Sequence, residues 1–154
     1  AGADEVVHVD ASKGIVAWAK ENMHINHLED HTIRFIVDDV LKFVKREIRR
    51  GRKYDGIIMD PPSYGRGPNQ ELWKLEDQLY ELVSECAKLL SDEPLFFLVN
   101  CYTTGFPLSA MKETLTRVLT DTRGGSVEVG ENLLPVTKGG VLPCGIFGRW
   151  TPKQ

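Results

Sequence analysis

The chain predicts an α/β fold: a mostly parallel sheet with helices on both faces and an antiparallel hairpin at its carboxyl-terminal end. Three observations carry that prediction. Short apolar runs alternate with stretches of helical period, the pattern of β-α units. Three successive apolar runs end in acids, at Asp10, at Asp38-Asp39 and at Asp60. The last two apolar runs are separated only by Val136 and Thr137-Lys138-Gly139-Gly140 and their neighbours, with no helix between them, which reads as a hairpin.

Each element follows in order. Val6 to Val9 is a short apolar strand that ends at Asp10. Ser12 is placed to cap the next helix, which runs to about Asn26 with Ile15, Val16, Trp18, Ala19 and Met23 expected inward. Ile33 to Val37 is the second strand, and Val40 to about Arg50 the second helix, closed by Gly51. Asp55 to Met59 is the third strand. A loop rich in Gly and Pro then leads to a helix expected from about Asn69 to Leu90, with Leu72, Leu75, Leu79, Leu82, Val83 and Leu89 on its period. Leu95 to Val99 is a strongly apolar strand, and Leu108 to about Leu119 another helix. Val127 to Leu134 and Val141 to Trp150 form the final pair, so one strand of the sheet is reversed. Parallel strands need right-handed crossovers, which the intervening helices supply.

Composition narrows the class. A length of 154 residues fits one domain, residues 1–154. Apolar residues make up 42% and charged residues 27% of the chain, as in globular proteins in water. No apolar run approaches the roughly 18 residues needed to span a bilayer, so no membrane partner is expected. Cys86, Cys101 and Cys144 are odd in number and widely spaced. That pattern points to reduced thiols in the cytoplasm and away from a disulfide framework or zinc site. His8, His24, His27 and His31 show no metal-ligand spacing with acids or cysteines, so no metal is expected. A net charge of −3 does not by itself indicate a nucleic-acid binder.

The most informative segment is Asp60-Pro61-Pro62-Ser63-Tyr64-Gly65. Two prolines fix φ near −65° and cannot donate ladder hydrogen bonds, so the backbone leaving the third strand is stiff. Asp60 thus sits on a rigid carboxyl-terminal strand end, the edge where open α/β sheets bind ligands. Asp10 and Asp38-Asp39 fall at the same edge. An acid after a strand is also an ordinary helix cap, a role open to Asp39. Three such acids in succession, the last joined to Pro-Pro, favour a shared site.

These residues resemble the class I S-adenosylmethionine (SAM)-dependent methyltransferases. Asp10, Asp38-Asp39 and Asp60-Pro61-Pro62 look like three motifs of that family, and the closing hairpin resembles its reversed strand. The segment Asp60 to Gly67 is similar to bacterial 23S rRNA cytosine-C5 methyltransferases, and the similarity extends from Ala3 to Trp150. The resemblance implies a Rossmann-like sheet, a methyl transfer with SAM as cofactor, and RNA as substrate. It implies that Asp10 accepts from the cofactor ribose and that Ala11 and Ser12 flank the adenosine. Asp38 or Asp39 would accept from the adenine amino group, with Asp39 the better match because it directly precedes Val40, which would pack on the ring. Asp60 would lie at the cofactor's methionine end and the target base. Pro61, Pro62, Ser63, Tyr64 and Arg66 would meet the substrate, Tyr64 by stacking and Arg66 at a phosphate.

Cys101 is the sharpest catalytic candidate. Carbon 5 of cytosine is a poor nucleophile, and a thiolate added at carbon 6 activates it. Cys101 follows an apolar strand at the edge shared with Asp60, where related RNA methyltransferases keep their nucleophile. The competing reading is a small buried hydrophobe, common for cysteine, which is the expectation for Cys86 and Cys144. The basic run Lys42, Lys45, Arg46, Arg49, Arg50, Arg52 and Lys53 reads as a solvated helix end rather than an RNA footprint. Trp18 and Trp73 read as packing residues at helical positions.

The family's first motif, a strand and a glycine-containing loop, has no counterpart before Asp10. The chain therefore reads as a catalytic domain without its first strand, expected to bind SAM weakly by itself. The unpaired apolar edges so left invite strand exchange, including a homodimer. Transfer to an exocyclic amino group, or a non-catalytic methyltransferase-like RNA-binding module, are the alternatives. A nucleotide-linked oxidoreductase lacks support, since no glycine fingerprint is present.

Overall fold

The computed structural model describes residues 2–66 and 72–153. The chain forms two compact units, Ala1–Arg50 and Gly51–Gln154.

The first unit holds β1 (Glu5–Asp10), α1 (Lys13–Ile25), β2 (Thr32–Val37) and α2 (Val40–Arg49). β1 and β2 pair in parallel from Glu5↔Thr32 to Asp10↔Val37, so both strands end at one edge. Ser12 caps α1, its hydroxyl accepting from the Ile15 amide at 3.4 Å. Asp39 caps α2, its carboxylate accepting from the Lys42 amide at 2.9 Å. α2 buries Phe43 and Val44 on one face, together with Glu47, whose carboxylate meets Arg50 at 3.1 Å.

The inward face of α1 differs from expectation. Val16 is buried and Ala19 and Met23 are half-buried, whereas Ile15 and Trp18 are exposed, Trp18 at 61%. A helix advances about 100° per residue, so the stripe through 16, 19 and 23 turns 15 and 18 away. Trp18 is therefore not a packing residue.

The second unit carries a four-stranded sheet in the order β3-β6-β8-β7. β3 (Gly56–Met59) runs parallel to β6 (Phe96–Cys101). β8 (Val141–Thr151) is antiparallel to both β6 and β7 (Ser126–Pro135) and is the one reversed strand. The expected hairpin is present, with Gly139 and Gly140 in its turn at φ 88° and 89°. β6 extends beyond the predicted end at Val99 through Cys101, because Asn100 and Cys101 pair with Phe147 and Ile146 of β8. Phe97, Val99 and Cys101 alternate onto the buried face of the sheet, as period two requires.

α3 spans Leu75–Ala87 and starts later than the predicted Asn69. Leu72-Trp73-Lys74 is instead β5, paired antiparallel with β4 (Tyr64–Arg66) in the register Tyr64↔Lys74. The three residues alternate exposed, half-buried, exposed, which is a strand pattern that the leucine period of the following helix obscured. The predicted helix positions 69–71 lie outside the described residues. Leu75, Leu79, Leu82, Val83 and Cys86 do form the buried stripe of α3.

α4 (Leu108–Leu115) continues into a π-helical turn, Thr116–Thr120, and a short α5, Asp121–Arg123. Met111, Leu115 and Leu119 join Phe97, Val99, Val83, Leu90 and Trp150 in the core of this unit. Among the described residues no helix is long and apolar enough to cross a membrane.

Candidate active site

The strand-end acids of the first unit lie side by side. The Asp38 amide donates to the Asp10 carbonyl at 3.1 Å, so the parallel ladder holds the two strand ends in step. One carboxylate oxygen of Asp10 accepts from the Ser12 amide at 2.6 Å, which folds Ala11 and Ser12 back over the strand end. Asp10 is half-buried, and Ala11 and Ser12 are exposed.

Asp38 and Asp39 divide the work at the second strand end. Asp38 accepts from the Arg46 guanidinium at 2.6 Å and from the Asp39 amide at 2.9 Å. The Arg46 hydrogen bond, the largest influence, holds its carboxyl below the usual range against an opposing effect of burial. Asp39 caps α2 with one oxygen. Val40, the next residue, is 38% exposed at the helix start.

In the second unit, Asp60 ends β3 and is exposed, Pro61 is buried, and Pro62, Ser63 and Tyr64 are exposed. Three hydrogen bonds fix the loop that follows Asp60. Trp73 Nε1 donates to the Pro62 carbonyl at 2.8 Å. The Leu75 amide, at the start of α3, donates to the Ser63 carbonyl at 3.2 Å. Thr103 Oγ1 donates to Ser63 Oγ at 2.7 Å. The Pro-Pro segment is thus tied to β5, to α3 and to the loop after β6. Arg66 lies in β4, paired with Leu72.

Cys101 is the last residue of β6, two beyond the Met59↔Val99 pair of the parallel ladder. It is 1% exposed and shares its face of the sheet with Phe97 and Val99. Gly145 of β8 passes close to it at φ +120°, where a Cβ would stand 2.7 Å from the Cys101 carbonyl oxygen and 2.8 Å from the Tyr102 ring. Cys86 is buried in α3, and burial pushes its thiol up to about 12. Cys144 is half-buried and donates to the Asn132 carbonyl at 3.2 Å. Among the described residues, no group of three or more His, Cys, Asp or Glu side chains could hold a metal ion.

Sequence reasoning missed Trp73 and Thr103 as partners of the Pro-Pro loop. Trp73 was hidden by its assignment to a helix. Thr103 follows a strand whose end was placed too early.

No family model matches the chain. Among solved structures, the SAM-dependent methyltransferase from Agrobacterium tumefaciens superposes with a TM-score of 0.89 at 39% identity, covering 97% of this chain and 49% of that one. The chain carries the class I methyltransferase fold. A methyltransferase crystallised with SAH shares that fold at a TM-score of 0.72 and 21% identity, over 97% of this chain and 40% of its own. Among curated proteins, ribosomal RNA large subunit methyltransferase I of Salmonella arizonae is 38% identical over 69 residues, 45% of this chain and 17% of that protein. Ribosomal RNA large subunit methyltransferase K of Neisseria meningitidis is 26% identical over 100 residues, 64% of this chain and 28% of that protein. The chain is similar to these rRNA methyltransferases, and it spans well under two thirds of their length.

Proposed function

We propose that residues 1–154 form one catalytic domain of a SAM-dependent methyltransferase acting on RNA. Large-subunit rRNA is the substrate and carbon 5 of cytosine the target atom. The observation that carries this reading is the rigid Asp60-Pro61-Pro62-Ser63 strand end, held by Trp73, Leu75 and Thr103. A loop pinned at three points suits a reaction in which the protein contributes mainly alignment. The names of the curated relatives supply the substrate class.

The residues of the first unit fit the cofactor. Asp10 keeps a carboxylate oxygen beyond its bond to Ser12, enough to accept from a ribose hydroxyl. Asp39 keeps an oxygen beyond its cap for the adenine amino group, and exposed Val40 offers a surface for the ring. Asp38 serves Arg46 and so holds the turn rather than the nucleotide. When bound, SAM supplies an electrophilic methyl group. Asp60 would hydrogen-bond the base and stabilise charge at its ring nitrogen. Ser63, Tyr64 and Arg66 would contact the surrounding RNA. The Cys101 thiolate would add to carbon 6 and so make carbon 5 nucleophilic. A ribosomal substrate also implies a cytoplasmic setting, in keeping with three free cysteines.

A second reading has its own support. Cys101 is 1% exposed on the face it shares with Phe97 and Val99, which suits packing better than attack. In that reading Asp60-Pro61-Pro62 holds an exocyclic amine and Cys101 only fills the core. Methyl transfer from labelled SAM to 23S rRNA, with the product base mapped, separates the two. Cys101→Ala abolishes transfer if the target is carbon 5. Undiminished transfer by that variant moves the target to an amino nitrogen.

A further inference from the structure

The end of β6 is supported unequally on its two sides. Toward β3 the parallel ladder stops at Met59↔Val99. Beyond Met59 that neighbour becomes Asp60-Pro61-Pro62, and a proline has no amide to lend a ladder. Toward β8 the pairing runs on to Cys101↔Ile146. Asn100 and Cys101 therefore take their placement from the β7–β8 hairpin.

That hairpin is irregular at the same level. Its register shifts between Glu131↔Ile146 and Leu133↔Pro143, so Asn132 alone faces both Cys144 and Gly145. Bulges of this kind re-aim side chains, often beside active sites. The Cys144 thiol closes the bulge by donating to the Asn132 carbonyl at 3.2 Å. The Asn132 side chain reaches across β8, which lies between β7 and β6, and donates from Nδ2 to Asn100 Oδ1 at 3.3 Å. Gly145, at φ +120°, lays the β8 backbone against Cys101 and Tyr102 with no room for a Cβ. The segment so held continues to Thr103, whose hydroxyl donates to Ser63 of the Pro-Pro loop at 2.7 Å. All of these residues belong to the second unit. A line of contacts thus runs from the bulge, through the end of β6, to the loop after Asp60. Asparagine is a poor strand residue, yet both members of the bridging pair sit inside strands. Each runs against local propensity, the mark of a residue with a positional role.

We propose that Asn132 and Asn100 are positioning residues for methyl transfer. Their bridge sets the Cys101–Thr103 segment in place on the side where Pro61 and Pro62 withdraw the support of a ladder. The proposal rests on the reading of the Asp60 loop and the Cys101 edge as the site of transfer, and it names what aligns that site.

Single-turnover methyl transfer at saturating SAM, with amide hydrogen exchange read by NMR on the same proteins, tests it. Asn132→Ala and Asn100→Ala each lower the transfer rate about tenfold, while the half-saturating RNA concentration stays within about twofold, because alignment is lost and binding is kept. The double alanine variant falls no further than either single one, since one shared bond has been removed. Asn132→Asp recovers most of the rate, because its carboxylate accepts from the Asn100 amide once that amide turns over. In Asn132→Ala the amides of Tyr102 and Thr103 exchange about tenfold faster, and that of Val99 in the core keeps its rate. Circular dichroism verifies folding. Asn132→Ser, polar but too short to reach Asn100, carries the same readouts if the alanine variant does not fold. Additive losses in the double variant, or parental exchange at Tyr102 and Thr103 in a folded Asn132→Ala or Asn132→Ser variant, overturn the proposal. A parent that transfers no methyl group, with exchange still raised in Asn132→Ala, overturns the enzymatic reading and leaves the bridge as the support of the β6 end. Transfer by the parent that neither alanine variant slows overturns the positioning role and leaves the enzyme.

Discussion

Asp38 and Asp39 are adjacent acids with different occupations. Asp39 caps α2, while Asp38 pairs with Arg46 one face along the same helix. The cap was legible in the sequence, because a cap lies within three residues of its acceptor's partner. The Asp38–Arg46 pair was not, because it depends on how α2 turns back over the strand end. The depressed Asp38 value has a direct consequence. A carboxyl whose folded pKa is lowered contributes stability above its ordinary value near 3.9 and loses it as pH falls through the folded value. Urea midpoints measured from pH 7 down to pH 3 fall less steeply for Asp38→Asn than for the parent. The difference is small, since the pair is partly solvated. The cysteines make a second prediction at this scale. Native iodoacetamide labelling modifies Cys144, which is half-buried, and spares Cys86, which burial keeps protonated far above neutral pH. Cys101, 1% exposed, labels in the folded protein if it is the nucleophile and only on unfolding if it fills the core. Peptide mass mapping after native and denatured labelling checks all three.

At the level of elements, strand and helix identities were legible wherever local period and caps agreed. α1 and α2 follow their Ser12 and Asp39 caps and end close to the expected residues. The β4–β5 pair was not legible, since a three-residue strand carries almost no period. Trp73 is the consequence of that miss. Trp73→Phe keeps the ring but removes the donor to the Pro62 carbonyl. The expected loss is about 0.5–1.5 kcal/mol of stability, and under the proposed function a larger proportional fall in methyl transfer follows because the Pro-Pro loop loosens. Chemical denaturation and single-turnover transfer on one preparation check both. Packing of α4 on β8 gives a sharper case. A Cβ at Gly148 would stand 2.5 Å from Leu115 Cδ1 and 2.6 Å from Met111 Cγ. Gly148→Ala therefore overfills a buried contact and costs about 1–3 kcal/mol, read as a lower denaturation midpoint with an unchanged slope.

At the scale of the molecule, the mixed sheet and its single reversed strand were legible from the order of apolar runs. The insertion of β8 between β6 and β7 was not, because nothing local distinguishes an edge strand from an interior one. The three tryptophans report on this organisation. Trp150 is fully buried in the second unit, Trp73 is half-buried there, and Trp18 is exposed in the first. Trp150→Phe removes most of the red shift in emission on unfolding, whereas Trp18→Phe leaves that shift nearly intact. Emission spectra of the two variants across a denaturant series test this.

The place of β8 in the sheet also governs when that sheet can exist. Among the described residues it contributes the only ladder that joins β6 to β7, yet it is the last of the described strands in chain order, at Val141–Thr151. A polypeptide leaving the ribosome at about 5–20 residues per second exposes β6 with an open edge for as long as synthesis from residue 102 to residue 151 takes. During those seconds the apolar strand Phe96–Cys101 is available to any extended segment nearby. The burden of protecting the nascent chain therefore falls on its earlier helices or on chaperones, and slow codons downstream of β6 would lengthen the exposure.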